Sequence, residues 1–224
     1  MPEPRLPRSF FARSAELLAR DLLGQMLVRI LPDGQRLAGQ IVETEAYVGV
    51  LDRASHAFDG RRTPRNESMY ARAGTSYVYF TYGMHHCFNV VCGKLDEPVA
   101  VLIRALAPLE GLETMRSARA ARRSGSIPDH GLCSGPGRLC QAMAIDLRLN
   151  GSDLVTGPDL FIERRPGKTP KTIVNCPRIG IDSAGSWAGK HLRWLIDSNP
   201  HVSVPAAPAR SAKVVASERA GQQK

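Results

Sequence analysis

The sequence has few cysteines and no long apolar run, and both absences narrow its class. Its five cysteines, Cys87, Cys92, Cys133, Cys140 and Cys176, are an odd set without a C-x-x-C pair. This pattern argues against a disulfide framework and a cysteine-based zinc site, and it is typical of a reducing compartment. No stretch approaches the roughly 18 apolar residues of a membrane span, which excludes an integral membrane helix. Because the opening residues lack an apolar segment, we expect no secretory signal.

Lysine is also scarce, because 24 of the 30 basic residues are arginines. The 21 acidic residues leave a net charge of +9 and a pI of about 9.7. Such a balance indicates a polyanionic partner, with nucleic acid first and an anionic membrane surface second. Arginine's planar fork suits phosphate oxygens and base edges, although a GC-rich genome would also enrich arginine. Charge alone therefore gives a class of partner and not a function.

The length of 224 residues and the 43% hydrophobic content predict one globular domain. Local patterns predict the α+β class, with an antiparallel sheet. Strands are expected at 25–31, 36–47, 99–106, 160–164, 172–181 and 191–197, with two more in 75–92 meeting at Tyr82-Gly83. Helices are expected at 15–23 behind Ser14, at 108–123, and after Ser134-Gly135-Pro136-Gly137. Residues 1–11 are predicted to be an irregular arm, 48–72 a long functional loop and 205–224 a flexible tail.

Three polar side chains alternate along the predicted strand 36–47. Glu43, Glu45 and Tyr47 lie two residues apart and therefore share one face of the strand. Two carboxylates on a buried face are costly unless they are paired or functional. The alternative is an edge strand whose face is solvated, and the sequence leaves both interpretations open.

Tyr77, Tyr79 and Tyr82 cluster around the predicted hairpin. Aromatic rings on a basic protein can stack on nucleobases, although ordinary sheet packing explains Tyr77 equally well. Tyr82 precedes Gly83, which permits a tight turn. An aromatic ring at a hairpin tip has no core to enter, and it has the character of the side-chain wedges that separate base steps.

Other catalytic motifs are weak or missing. His85 and His86 are adjacent and face opposite ways in a strand, so together with His56 they do not give a metal-binding spacing. The turn 134–137 precedes a helix and could present N–H groups to a phosphate, but most such loops are only turns. The sequence contains no nucleophile elbow, Walker loop or dinucleotide fingerprint. We therefore expect no metal and no cofactor.

Six segments, taken together and in order, resemble the alkyladenine (3-methyladenine) DNA glycosylase family. They are LVR, GQIVETEAYVG, SHAFDGRRTPRNESMY, GTSYVYFTYGMHHCFNVV, VLIRALAPLEGLETMR and LCSGPGRLCQAMAI. The resemblance runs from about Ala15 to Val204. It implies a single glycosylase domain over 12–204, built on a curved antiparallel sheet flanked by helices, with a protruding β-hairpin.

The resemblance places the catalytic glutamate of E-A-Y on Glu45. This residue would be the general base that takes a proton from the water attacking the sugar C1′. A water-positioning arginine falls on Arg104. Glu43 is left as a structural or supporting carboxylate.

The resemblance also assigns residues that bind DNA. Tyr47 and His56 would lie on one side of an extruded base and Tyr79 on the other. Asn89 would disfavour normal guanine through its exocyclic amino group. In Y-G-M, the duplex-intercalating tyrosine falls on Tyr82, with Met84 beside it.

The implied function is monofunctional excision of damaged purines at the start of base excision repair. A glycosylase must extrude the nucleotide to reach C1′. The substrates would be 3-methyladenine, 7-methylguanine, and deaminated or etheno purines in double-stranded DNA. The protein would act as a monomer without a membrane partner, in the cytoplasm and on the nucleoid of a bacterium or in the nucleus of a eukaryote.

The sequence departs from the family pattern at His85 and His86, where larger aromatic residues are expected after Y-G-M. This departure affects how the hairpin would sit in the minor groove and which lesions are accepted. Two alternatives remain at this stage. One is a non-catalytic nucleic-acid binder with the same basic surface, and the other is a metal-dependent hydrolase that uses His56, His85 or His86.

Overall fold

An antiparallel sheet forms the centre of the molecule in the computed structural model, which describes residues 4–81, 83–120, 126–165, 170 and 172–206. The strands are β1 (Met26–Ile30), β2 (Arg36–Tyr47), β3 (Ser76–Thr81), β4 (His85–Val91), β5 (Ala100–Glu110), β6 (Leu160–Glu163), β7 (Ile173–Cys176) and β8 (Arg193–Ile196). The helices are α1 (Arg8–Phe11), α2 (Ala15–Asp21), α3 (Leu112–Ala120), α4 (Asp129–Leu132) and α5 (Pro136–Ala142). Short 3-10 turns occupy Gly49–Leu51, Phe58–Gly60, Glu67–Tyr70, Leu147–Leu149 and Asp182–Trp187.

Strand β2 is the hub of the sheet. The strand order is β3-β4-β5-β2-β1-β6, and β8 adds to β2 beyond the end of β1 while pairing with β7 on its other side. The carboxylate-bearing segment Glu43–Glu45 therefore lies between β5 and β8. The edge-strand alternative is wrong, because this segment has a hydrogen-bonded neighbour on each side and both glutamates are fully buried.

The pairing of β2 with β5 is irregular beside the glutamates. Glu43 pairs with Ala105 and Thr44 pairs with Ile103, so Arg104 falls between two successive pairs. Such a bulge bends a strand and changes the direction of a side chain. Here it accompanies the approach of Arg104 to Glu43 and Glu45.

Helices cover the sheet and close its main core. Helix α2 begins behind Ser14, whose side chain accepts a hydrogen bond from the Leu17 N–H, and it buries Leu18 against β2 and β5. Helix α5 packs on β4 and β5 through Leu139. The curved antiparallel sheet with flanking helices confirms the predicted α+β class. No helix in the described part of the chain is long and apolar enough to cross a bilayer.

Two local predictions need correction. The helix expected from Pro108 starts only at Leu112, because β5 continues to Glu110. The long β2 supplies partners for this extension, and the register shifts where Pro108 pairs with Gly39. A proline is tolerated at such an irregularity. Within the predicted irregular arm 1–11, the segment Arg8–Phe11 forms a helical turn that buries the Phe11 ring.

Strands β3 and β4 form the predicted hairpin. Their last pair is Thr81 with His85, and Gly83 between them has a φ of +66°. Glycine adopts this left-handed conformation without a Cβ clash. Tyr82, assigned to intercalation, lies outside the described residues, as does the tail from residue 207.

Candidate active site

A cavity of about 240 Å³ opens where β2 to β5 meet the loop after β2 and the segment after β7. Its volume is just below the ~300–1,000 Å³ of drug-sized sites, which suits one flat ring system. The lining residues are Tyr47, Ala54, His56, Met69, Tyr77, Tyr79, Thr81, Cys87, Asn89, Ala100, Leu102, Arg104, Pro136, Ile179, Gly180 and Ile181. Five of the predicted site residues are in this set, namely Tyr47, His56, Tyr79, Asn89 and Arg104.

Glu45 lies directly behind the cavity wall. Its side chain is fully buried, and its partners line the cavity. The Tyr47 hydroxyl donates to Oε2 at 3.1 Å, the Ile179 N–H donates to Oε1 at 2.8 Å, and Arg104 Nη1 lies 3.2 Å from Oε1. A carboxylate has about four acceptor positions, so within the described part of the chain these three contacts leave one position on Oε2 without a partner. Glu45 does not itself line the cavity, but all three residues that bind its carboxylate do.

Glu43 holds the other side of Arg104. Arg104 Nε and Arg193 Nη1 donate to its Oε1 at 2.9 and 2.8 Å, and the Ser203 N–H donates to Oε2 at 2.7 Å. Burial lowers the pKa of Arg104, but the charges of Glu45 and Glu43 outweigh it and raise that pKa. Arg104 therefore stays cationic between two carboxylates.

Aromatic rings form one wall of the cavity. The His56 and Tyr79 rings meet edge to face, with their centroids 4.5 Å apart, and Tyr77 lies 5.4 Å from Tyr79. His56 Nδ1 is hydrogen-bonded to the Tyr77 hydroxyl at 2.7 Å. The resemblance assigns His56 to the same side of the base as Tyr47, whereas in the structure the His56 ring contacts Tyr79.

The rings around the cavity are uncharged at neutral pH. Burial raises the pKa of Tyr47 well above its usual range, and the nearby Glu45 adds to this shift. Burial also raises the pKa of Tyr79. In contrast, burial lowers the pKa of His56, and the charges of Arg65 and Arg61 lower it further.

Asn89 and Met84 occupy different surroundings. Asn89 is buried in the cavity wall on β4, where its Nδ2 donates to the Tyr77 carbonyl at 3.1 Å. Met84 is 56% exposed beside Gly83 and lines a separate groove with Phe80 and His86. The structure thus places Met84 on the hairpin outside the cavity.

A second cavity, of about 300 Å³, adjoins the first at His56. Arg53, Arg61 and Arg65 line it, and all three are exposed. Clustered exposed arginines suit phosphate oxygens of a nucleic-acid backbone. Among the described residues, no three His, Cys, Asp or Glu side chains are grouped to hold a metal ion.

Several contributors were not identified from the sequence. Strand β7 ends at Cys176 instead of continuing to residue 181 as predicted, because Pro177 follows it. The segment beyond it supplies Arg178 and the Ile179 N–H to the site. Arg193 and Ser203 come from still later positions. No local pattern marks these residues, since their partners are far away in the sequence.

The fold and the site define a protein with an aromatic-lined cavity beside a buried carboxylate. The family model described as methylpurine-DNA glycosylase matches residues 9–200. The chain therefore belongs to the methylpurine-DNA glycosylase family. This membership confirms the family resemblance found in the sequence.

Curated relatives agree with this membership. The chain is similar to the DNA-3-methyladenine glycosylases of Mus musculus (48% identity over 206 residues) and Homo sapiens (46% over 205 residues). These alignments cover 89% of this chain, but 61% of the mouse protein and 68% of the human protein. A protein of Methanocella arvoryzae, also named for 3-methyladenine DNA glycosylase activity, is 48% identical over 200 residues, covering 89% of this chain and 96% of its own length.

The ion pairs around Glu43 predict a stability effect. We expect Glu43→Gln to lower the free energy of unfolding by about 3–5 kcal/mol, because it leaves two buried arginines without their shared carboxylate. Urea denaturation provides the measurement. The control is Glu110→Gln, which weakens the half-exposed Arg36–Glu110 pair and should cost about 1 kcal/mol or less. Equal losses in the two variants would contradict the structural role of Glu43.

Proposed function

We propose that this protein is a monofunctional DNA glycosylase that removes alkylated purines from duplex DNA. The substrates in this proposal are 3-methyladenine and 7-methylguanine, with deaminated and etheno purines as further substrates. Support comes chiefly from the Glu45 carboxylate, whose partners Tyr47, Ile179 and Arg104 line an aromatic cavity. The product would be an abasic site, which begins base excision repair. The protein would act as a monomer, on the bacterial nucleoid or in the eukaryotic nucleus.

In the proposed reaction, water attacks C1′ of the extruded nucleotide. Glu45 takes a proton from that water as the new C–O bond forms and the C1′–N bond breaks. The electron pair of the broken bond goes to the purine and neutralises the positive charge left by N3 or N7 alkylation. Arg104 would hold the water against Oε2 of Glu45 while its own charge is shared with Glu43. A neutral base is a poorer leaving group and would need a proton at the leaving purine.

Base selection in this proposal relies on the neutral rings. A cationic, electron-poor purine gains more from stacking on Tyr47 and Tyr79 than a normal purine does. His56 would contact the base edge without adding a positive charge, since its pKa is lowered. Asn89 would oppose the exocyclic amino group of normal guanine from the wall of the cavity.

Extrusion of the nucleotide needs a group that occupies the vacated gap in the duplex. Tyr82 would intercalate and Met84 would support it, because both flank Gly83 between the paired ends of β3 and β4. The exposed arginines Arg53, Arg61 and Arg65 would bind the phosphates of the distorted strand.

The role of Glu45 is tested by Glu45→Gln. We expect single-turnover release of hypoxanthine or 3-methyladenine from a duplex to fall by about 10²–10⁴-fold, since a general base is lost. Binding of the same duplex should remain. Glu163→Gln is a matched control, because it also alters a buried, arginine-paired carboxylate but lies on β6 away from the cavity. Release at the wild-type rate by the Glu45 variant would disprove the assignment.

The wedge role is tested by Tyr82→Ala. Without the ring, the unstacking cost of a few kcal/mol is not offset, so affinity for a lesion-bearing duplex should fall about tenfold or more. Affinity for undamaged duplex should stay within about threefold, because it depends on phosphate contacts. Phe80→Ala removes an exposed ring from β3 of the same hairpin and serves as the control. Unchanged lesion affinity in the Tyr82 variant would refute the wedge.

The pH dependence follows from His56. Burial and the charges of Arg65 and Arg61 lower the pKa of His56, so it is neutral at pH 7 and takes up a proton only below the usual imidazole range, which places a cation beside the base. In a Glu45→Gln background, where release is blocked, affinity for 7-methylguanine relative to hypoxanthine should fall by up to about tenfold between pH 7 and pH 5. Adding His56→Gln should abolish that change. The same pH profile with and without His56 would exclude its involvement.

A further inference from the structure

Arg178 and Asp52 form a fully buried ion pair that the proposed chemistry does not use. Arg178 Nη1 and Nη2 donate to the two Asp52 oxygens at 2.6 and 2.8 Å, and neither side chain has exposed surface. Removing both charges from water costs free energy, so a buried ion pair need not make the folded state more stable. We therefore look for a role of this pair in the site next to it.

The Arg178–Asp52 pair lies next to Tyr47, one of the residues that line the cavity. The Arg178 guanidinium carbon is 4.7 Å from the centroid of the Tyr47 ring, within the range of a cation–π contact. The Tyr47 ring lines the cavity, whereas the Arg178 side chain is fully buried. The guanidinium therefore stacks on the protein side of the ring, which leaves the cavity side for a base.

The same pair joins the two segments that carry the site. On one side, Arg178 Nη1 donates to the Ala46 carbonyl at 3.0 Å, and the adjacent Ile179 N–H donates to Glu45 at 2.8 Å. On the other side, Asp52 accepts the N–H groups of Val48 and Ala54 at 3.2 and 3.0 Å. Glu45, Tyr47 and the loop leading to His56 are thus held relative to one another by one ion pair.

We propose that Arg178 and Asp52 are positioning residues that fix Tyr47 and set the charge preference of the base cavity. The proposal deepens, and rests on, the glycosylase function proposed above. The Asp52 carboxylate neutralises the Arg178 cation behind Tyr47. The net charge behind the ring is therefore zero, and it favours neither cationic nor neutral bases. Loss of either partner would leave one uncompensated charge behind that ring.

Whether the cavity comes to favour or disfavour a cationic base depends on which partner of the ion pair is replaced. With Asp52→Asn, the remaining Arg178 cation opposes a cationic base on the far face of Tyr47. With Arg178→Gln, the remaining Asp52 anion favours such a base. A base stacked on Tyr47 would lie roughly 8–10 Å from this charge, and at an effective dielectric constant of about 20 the effect on a unit charge is at least about tenfold.

The experiment measures single-turnover release of 7-methylguanine, a cationic lesion, and of hypoxanthine, a neutral one, at enzyme concentrations below saturation so that the rates include binding and extrusion. The ratio of the two rates should fall about tenfold in Asp52→Asn and rise about tenfold in Arg178→Gln. In the double variant, which has neither charge, the ratio should return to within about threefold of wild type. A purely structural pair would lower both rates together and leave the ratio unchanged, which would overturn the proposed charge effect.

A conservative variant tests positioning even where a single charge-removing variant fails to fold. Arg178→Lys keeps the charge but loses the planar fork that binds Asp52 and stacks on Tyr47. It should lower both release rates at least tenfold with little change in their ratio. Arg36→Lys, at the bidentate Arg36–Glu163 pair remote from the cavity, is the matched control and should retain wild-type rates. Wild-type rates in Arg178→Lys would overturn the positioning role.

An NMR readout separates this inference from the glycosylase proposal. In tyrosine-labelled protein, the Tyr47 ring signals, assigned with Tyr47→Phe, should shift in Arg178→Lys and Asp52→Asn and stay fixed in Arg36→Lys. If wild-type protein releases neither lesion, the glycosylase proposal fails and this measurement alone decides whether the pair positions Tyr47. Unmoved Tyr47 signals in both variants would overturn the positioning role whatever the activity.

Discussion

The burial of two carboxylates on the central strand is the constraint on which the site depends. Glu43 and Glu45 lie on β2 between β5 and β8, where water cannot compensate their charge. Arg104 from β5 contacts both, and Arg193 from β8 contacts Glu43. Because compensating charges come from both neighbouring strands, the sheet must assemble in this register before the glutamates can be buried at tolerable cost.

The two glutamates share Arg104 but differ in what else they touch, and this difference separates their roles. Besides Arg104, Glu43 is bound by Arg193 and the Ser203 N–H, neither of which lines the cavity. Besides Arg104, Glu45 is bound by Tyr47 and the Ile179 N–H, and both of these residues line the cavity. Similar carboxylates two residues apart on one strand thus acquire different surroundings because the sheet neighbours differ.

Local patterns predicted the parts of the fold that depend on nearby residues. The Ser14 cap, the turn before β2 and the glycine between β3 and β4 are short-range signals, and the structure contains each of them. The extension of β5 through Pro108 was missed because it depends on the length of β2. The family resemblance identified residues that come together at the cavity. It did not identify Arg178 and Asp52, because they are 126 residues apart in the sequence and only their contact in the fold relates them to the site.

In the proposed reaction, Glu45 is the general base, and its fixed position limits where discrimination between purines can arise. Tyr47, Ile179 and Arg104 hold the Glu45 carboxylate in place without a nucleotide, so its position does not have to be set by the purine that enters. In the proposed reaction, differences between purines must therefore arise at two other points. These are the cost of extrusion, which is lower for a damaged or mispaired base, and the stability of the departing purine. In the proposed reaction, a rigid general base would make leaving-group quality the main determinant of rate, and a single carboxylate could then serve several alkylated bases while sparing normal ones.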